Sequence, residues 1–115
     1  MPEYMLLIHA PGDGFSRGET SAPWLAYTQA LQEAGAYVAG NALQPAETAT
    51  TLRVRDGETV LSDGPFADTK ELLAGYYKID VPDLDAALAR AARMPQIERN
   101  TVEVRPVVVY AQATA

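Results

Sequence analysis

The chain of 115 residues contains no cysteine and a single histidine, His9. The absence of cysteine excludes disulfides, thiolate nucleophiles, iron–sulfur clusters and cysteine-based zinc sites. One histidine also excludes a multi-histidine metal site within one chain. We therefore predict no metal and no cofactor, with a metal shared between His9 and its mate across a dimer interface as an alternative.

Basic residues and long apolar runs are also scarce. Nine Lys and Arg stand against fifteen Asp and Glu, which gives a net charge of −6. Nucleic acid and anionic membranes attract positive surfaces, so neither is an expected partner. The longest apolar run, residues 107–111, is far shorter than the ~20 residues of a spanning helix. The first residues carry no basic flank typical of a secretory signal, and we predict a cytoplasmic protein.

The patterning predicts a single domain over residues 1–115 with a flexible tail at 111–115. Two helical segments, one between Ser21 and Gly35 and one capped by Asp83 and stopped by Pro95, separate the predicted strands. The strands cover residues 4–9, 37–40, 50–55, 58–61, 76–81 and 101–105. Residues 69–75 are ambiguous. This order predicts an α+β fold, a ferredoxin-like split β-α-β arrangement whose antiparallel sheet carries both helices on one face.

Polar residues alternate with apolar ones on two of the predicted strands. Glu103 and Arg105 share one face of the last strand, and Tyr76 and Lys78 share one face of an earlier strand. If the intervening apolar residues meet the helices, these four point away from them. A second copy of the chain is the simplest cover for that face, so we predict a homodimer with a small-molecule pocket between the sheets. A structural ion-pair network is the alternative interpretation.

A rigid turn follows the predicted hairpin. Asp63, Gly64, Pro65 and Phe66 combine a flexible and a restricted backbone position, which can aim the Asp63 carboxylate and bury Phe66. Lys70 lies downstream, where its charge could orient an anion. A plain turn, with Asp63 bonding its own backbone, is the alternative.

His9 ends the first predicted strand and is the one side chain whose unperturbed charge changes near neutral pH. A carboxylate beside it, such as Asp63, would make it a general base. A histidine that is merely packed at the rim of the core is equally consistent with the sequence. The surrounding run is apolar throughout, so strand alternation leaves the direction of His9 open.

The segment DGPFADTKE at residues 63–71, followed by GYY at 75–77 and VEVRP at 102–106, resembles the signature of the DGPF-motif proteins of the YCII-related family. The resemblance runs from about Tyr4 to Tyr110. It implies a ferredoxin-like fold that forms a dimeric α/β barrel. Members are mostly bacterial proteins of unknown function. The wider group includes a dehydrochlorinase-type enzyme, and some relatives are encoded with or fused to sigma factors.

The resemblance also implies a catalytic His–Asp pair, which falls on His9 and Asp63 in this chain. Together with the patterning, it predicts a ligand pocket lined by Phe66, Lys70, Tyr76, Glu103 and Arg105. Acid–base chemistry on a small molecule would need no further parts. A non-catalytic binding or regulatory dimer, associated with sigma-factor-type transcription regulation, is the alternative, so whether the chain is an enzyme stays open.

Overall fold

The computed structural model describes residues 2–11, 21–66 and 70–110. Six strands and two helices are formed in these ranges. They are, in chain order, β1 (Glu3–Pro11), α1 (Ser21–Glu33), β2 (Tyr37–Ala42), β3 (Thr50–Arg55), β4 (Glu58–Asp63), β5 (Glu71–Asp80), α2 (Leu84–Ala91) and β6 (Thr101–Pro106). Residues 12–20, between β1 and α1, and the predicted tail at 111–115 lie outside the described residues.

Four strands form the main sheet in the order β2-β5-β1-β6, with every neighbouring pair antiparallel. Counting only these four, the chain visits them as β-α-β-β-α-β, the arrangement of a ferredoxin-like fold. The predicted α+β class with two helices and antiparallel pairing is therefore confirmed. Among the described helices, none has the length and apolar character needed to cross a membrane.

Local signals in the sequence account for several element ends. The Asp83 carboxylate accepts a hydrogen bond from the Ala86 amide at 2.9 Å and caps α2. Asp56 and Gly57, between β3 and β4, have positive φ angles of 51° and 80°. Positive φ at both central residues is typical of a tight two-residue hairpin turn. Both features are as predicted.

Other boundaries differ from the predictions. Strand β5 begins at Glu71, so residues 71–75 of the ambiguous stretch are strand. Residues 71–75 still pair with β1, because a bulge between Ile8 and His9 shifts the register of the β1–β5 pair. On the other side of β5, Gly75 lets β2 approach closely. A Cβ at Gly75 would lie 2.9 Å from the Asn41 carbonyl oxygen. Helix α2 ends at Ala91, before Pro95, so Pro95 is not what stops it.

The β3–β4 hairpin forms its own two-stranded sheet, separate from the main one. Almost every residue of its strands is exposed, and Leu52 and Leu61, which pair across the strands, each keep about 60% of their surface in solvent. An isolated two-stranded hairpin is only marginally stable in water. The hairpin therefore carries an apolar face that the described part of the chain does not cover.

The core lies between the helices and one face of the main sheet. In β1, alternate residues are buried while those between them are only half-buried. Although the run is apolar throughout, the strand is thus fully buried on one face only in a single chain. The helix-facing core contains Tyr4, Leu6, Ile8, Tyr77 and Ile79 from the sheet and Tyr27, Leu31, Ala87, Ala91 and Met94 from the helical side.

An aromatic cluster fills the α1 side of this core. The Tyr77 ring stacks near Trp24, with centroids 6.3 Å apart, and meets Tyr27 edge to face at 5.3 Å. The Tyr27 hydroxyl donates to the Arg90 carbonyl oxygen at 2.7 Å, and the Tyr77 hydroxyl lies 2.6 Å from Thr28 Oγ1. Burial raises the pKa of both Tyr27 and Tyr77, because it disfavours the charged phenolate.

These raised pKa values predict alkaline destabilisation. An unfolded tyrosine ionises near pH 10, whereas folded Tyr27 stays protonated well above that pH, so ionisation favours the unfolded state. The stability is fully present below about pH 10 and is lost as the pH rises above it. Urea unfolding between about pH 8 and pH 11 should show this fall. Tyr27→Phe should flatten it, whereas Tyr110→Phe, at an exposed position, should not; equal slopes in all three proteins would contradict the explanation.

Candidate functional site

The face of the main sheet turned away from the helices carries most of the predicted polar residues. The strand register places Lys78, Met5 and Arg105 in one row across β5, β1 and β6. Tyr76, Leu7 and Glu103 form the next row. We call this surface the open face. Met5 and Leu7 are half-buried in its centre, so the central strand presents apolar side chains between flanking polar ones.

Glu103 connects the charged groups at one end of the open face. Its Oε1 lies 3.6 Å from Nε2 of His9, and its Oε2 accepts a hydrogen bond from Nη2 of Arg105. The 3.6 Å separation is longer than a hydrogen bond, so attraction between His9 and Glu103 is electrostatic and depends on protonation of the imidazole. His9 thus points to the open face, the direction that the sequence left undecided.

Two further polar contacts lie on the same face. Lys78 Nζ is 3.2 Å from Oε1 of Glu3. The Asn41 side-chain amide donates to the Tyr76 hydroxyl at 3.1 Å. Lys78 and Arg105 are therefore each paired with a carboxylate of the same chain. An anionic ligand would have to share these cations with Glu3 and Glu103 or displace the two carboxylates from them.

The turn at residues 63–66 is fixed by backbone contacts with β3 and the residue before it. The Gly64 amide donates to the Ala49 carbonyl oxygen at 2.7 Å, and Thr51 Oγ1 donates to the Gly64 carbonyl oxygen at 2.8 Å. Gly64 has a φ of 96°, which an L-residue with a side chain rarely adopts. This segment has the conformational restriction that the sequence predicts for it.

The side chains of the turn are exposed. Phe66 is 74% exposed, so the prediction that the turn buries it is wrong for the single chain. The Arg53 guanidinium lies over its ring, 4.9 Å from the centroid. Asp63 ends β4 opposite Thr50 and is exposed, as is Lys70. In the part of the chain that the structure describes, no hydrogen bond or ion pair joins Asp63 to His9. The partnership of these two residues stays a prediction, as do the ligand contacts of Phe66 and Lys70.

No pattern in the sequence indicates that Glu103 is the partner of His9. The two are 94 positions apart in sequence, and they meet because β1 and β6 pair with His9 opposite Thr101 and Leu7 opposite Glu103. Thr101 itself donates to both carboxylate oxygens of Glu71 at 3.0 Å, a second contact that patterning missed. In the described ranges, no three His, Asp or Glu side chains are gathered as metal ligands.

Fold and site together define a class: a ferredoxin-like α+β domain with an ion-paired, half-apolar open face that includes a histidine. The model of the YCII-related domain matches residues 2–111. The chain belongs to the YCII-related domain family.

The name of a curated relative of this chain states no activity. The chain is 47% identical over 70 residues to a protein of Rhizobium meliloti (strain 1021) whose name says only that it is uncharacterised. The match covers 59% of this chain and 56% of the relative.

The contacts of the turn predict the effect of removing the Thr51 hydroxyl. Thr51→Val keeps the shape of the side chain but loses the bond to Gly64, worth about 1 kcal/mol. We expect the Gly64 amide to exchange with deuterium about fivefold faster, measured by NMR under native conditions. Thr59→Val, on an exposed position of β4, is the matched control. Unchanged exchange at Gly64 in Thr51→Val would show that this bond does not hold the turn.

Proposed function

We propose that the open face is a binding site for a small anionic molecule, at which His9 exchanges a proton, and that a second copy of the chain covers it. The observation that carries this proposal is the grouping of His9, Glu103 and Arg105 on a face whose centre is apolar. The rest follows from what each group can do there.

The cover is argued from the centre of the open face. A sheet face that stays in water normally presents polar residues on its central strands. Here β1 presents Met5 and Leu7, both half-buried before any partner is added. Two open faces packed against each other would bury these residues and form the dimeric α/β barrel. The exposed apolar face of the β3–β4 hairpin is a second surface that such a partner could cover.

Burial by a partner would change the electrostatics of the Glu103 group. In a drier environment, charge interactions strengthen and unpaired charges become costly. A movement of roughly half an ångström would bring His9 and Glu103 within hydrogen-bond distance. Glu103 would then hold the imidazole in one orientation and stabilise its protonated form, as a carboxylate beside a general base does.

Arg105 is the proposed anchor for the ligand's negative charge. A guanidinium has five N–H donors in a planar fork, so binding Glu103 leaves several for a carboxylate. Lys78 contributes a second positive charge two strands away, on the other side of Met5. Tyr76 lies beside Leu7 and offers a ring against which a flat ligand can pack.

The turn at residues 63–66 supplies the remaining proposed groups. Asp63 is proposed as a second acid–base group, Lys70 as a further anion contact, and Phe66 as a ring that excludes water from the site. With these parts a lyase, an isomerase or a dehalogenating elimination requires only proton transfers.

A non-catalytic dimer, which binds a metabolite or a transcription-regulating partner of the sigma-factor type, is the second candidate. The contacts of Gly64 and Thr51, with Arg53 over Phe66, favour it, because they are those of a turn that fastens the hairpin base. Under this reading the turn is structural and Asp63 is not aimed at a ligand.

The single histidine makes a direct binding test possible, because its imidazole gives one assignable NMR signal. We use 4-hydroxybenzoate, which joins a carboxylate to a flat ring, as the probe. It should shift the His9 signal saturably in the wild type, and Arg105→Gln should weaken binding about tenfold, or ~1.4 kcal/mol.

The matched control is Arg55→Gln, which removes the same charge at the tip of the hairpin and should leave the His9 response unchanged. If the chemical shift of the His9 signal does not change as the probe is added, the proposed binding is contradicted. The same shift in wild type and Arg105→Gln would contradict the role of Arg105 as the anchor.

A further inference from the structure

A groove lies in the helical layer, on the other side of the sheet from His9. It runs between α1 and the end of α2 and has a volume of about 370 Å³, within the size range of small-molecule sites. Its apolar wall comes from Pro23, Ala26, Ala30, Leu31 and Pro95, with the Tyr27 ring between them; Arg90 and Arg93 complete the lining.

The two arginines stand out in a chain of net charge −6. Arg90 lies in the last turn of α2 and Arg93 follows three positions later, where the Arg93 amide donates to the Arg90 carbonyl oxygen. Residues three apart in a helical turn lie on the same side, and both arginines line the same groove. No acidic side chain pairs with either guanidinium among residues 2–11, 21–66 and 70–110. The groove therefore has positive charge that the described chain leaves uncompensated.

The rest of the lining restricts what can bind. The Tyr27 hydroxyl is occupied, since it donates to the Arg90 carbonyl oxygen at 2.7 Å. Burial raises the pKa of Tyr27, so the ring stays neutral and puts no negative charge beneath the arginines. A ligand with several polar groups would lose their bonds to water against this wall without replacing them. A ligand with one acidic end and an apolar body would not.

We propose that this groove binds a small amphipathic monocarboxylate, with its carboxylate on Arg90 and Arg93 and its alkyl or aryl body along the α1 wall. A planar guanidinium matches a carboxylate with two parallel hydrogen bonds, so two arginines at the rim define the position of the acid. Ala26 and Ala30, one turn apart on α1, leave the space that the apolar body occupies. This site does not depend on a dimer or on the groups of the open face.

The test uses 4-phenylbutyrate as the probe and its alcohol, 4-phenylbutan-1-ol, as the uncharged control. In amide-resolved NMR titrations to about 10 mM, we expect the acid to shift signals of α1 and the end of α2 saturably, and the alcohol to bind at least about tenfold more weakly. Arg93→Gln should lower the affinity for the acid about tenfold. Arg55→Gln, which removes an equal charge at the hairpin tip, should not.

A second variant blocks the groove from α1. Ala30→Glu, at an exposed helical position, should place a carboxylate against the arginines and abolish binding, while the neighbouring Gln29→Glu should not. Equal binding of acid and alcohol would overturn the proposal in favour of apolar adsorption. Equal losses in Arg93→Gln and Arg55→Gln would overturn it in favour of a general charge effect, and the absence of any shift in α1 would overturn it outright.

Discussion

A four-stranded sheet has two faces, and the two α-helices among the described residues both lie on the same face. The rest of the structure follows from that imbalance. On the covered face, alternate residues of β1 and β5 reach full burial among Tyr27, Leu31 and the small residues of α2. On the open face, β1 presents half-buried apolar side chains between the ion pairs of its neighbours. A second copy of the chain is the cover that we propose for the open face.

The proposed role of the ion pairs depends on whether the open face is covered. On a solvent-exposed surface, a Glu103 shared between His9 and Arg105 contributes little to stability, because water screens its charges. Beneath the proposed partner subunit, the same three groups would form a compact set that could exchange a proton and bind an anion together. The inner side of the helical layer packs against the core. The groove on its outer side is a separate surface, lined by two arginines and an apolar wall.

The fold was largely predictable because its signals are local. The Asp83 cap, the Asp56-Gly57 turn and the alternation of Val102 and Val104 with Glu103 and Arg105 are each contained in a few residues. Element ends were harder. The early start of β5 depends on a bulge opposite His9 and on Gly75 beneath Asn41, both of which require strands distant in sequence.

The site was predictable only in its composition. Alternation placed Glu103 and Arg105 on one face, but the pairing of Glu103 with His9 depends on the register between the first and last strands, which no local pattern fixes. The exposed hairpin shows the same limit. Its turn and strands are evident in the sequence, whereas its separation from the main sheet results from how the whole chain packs.

Met5 tests the central claim most directly, since it lies half-buried in the middle of the open face. Methyl-labelled methionine can be compared with and without a soluble paramagnetic relaxation agent. At concentrations where the chain is dimeric, we expect the Met5 methyl to be as protected as that of Met94, which lies in the core. Leu7→Asp should remove this protection at Met5 and leave Met94 unchanged. A Met5 methyl that relaxes like an exposed group in the wild type at every concentration would contradict the covered open face.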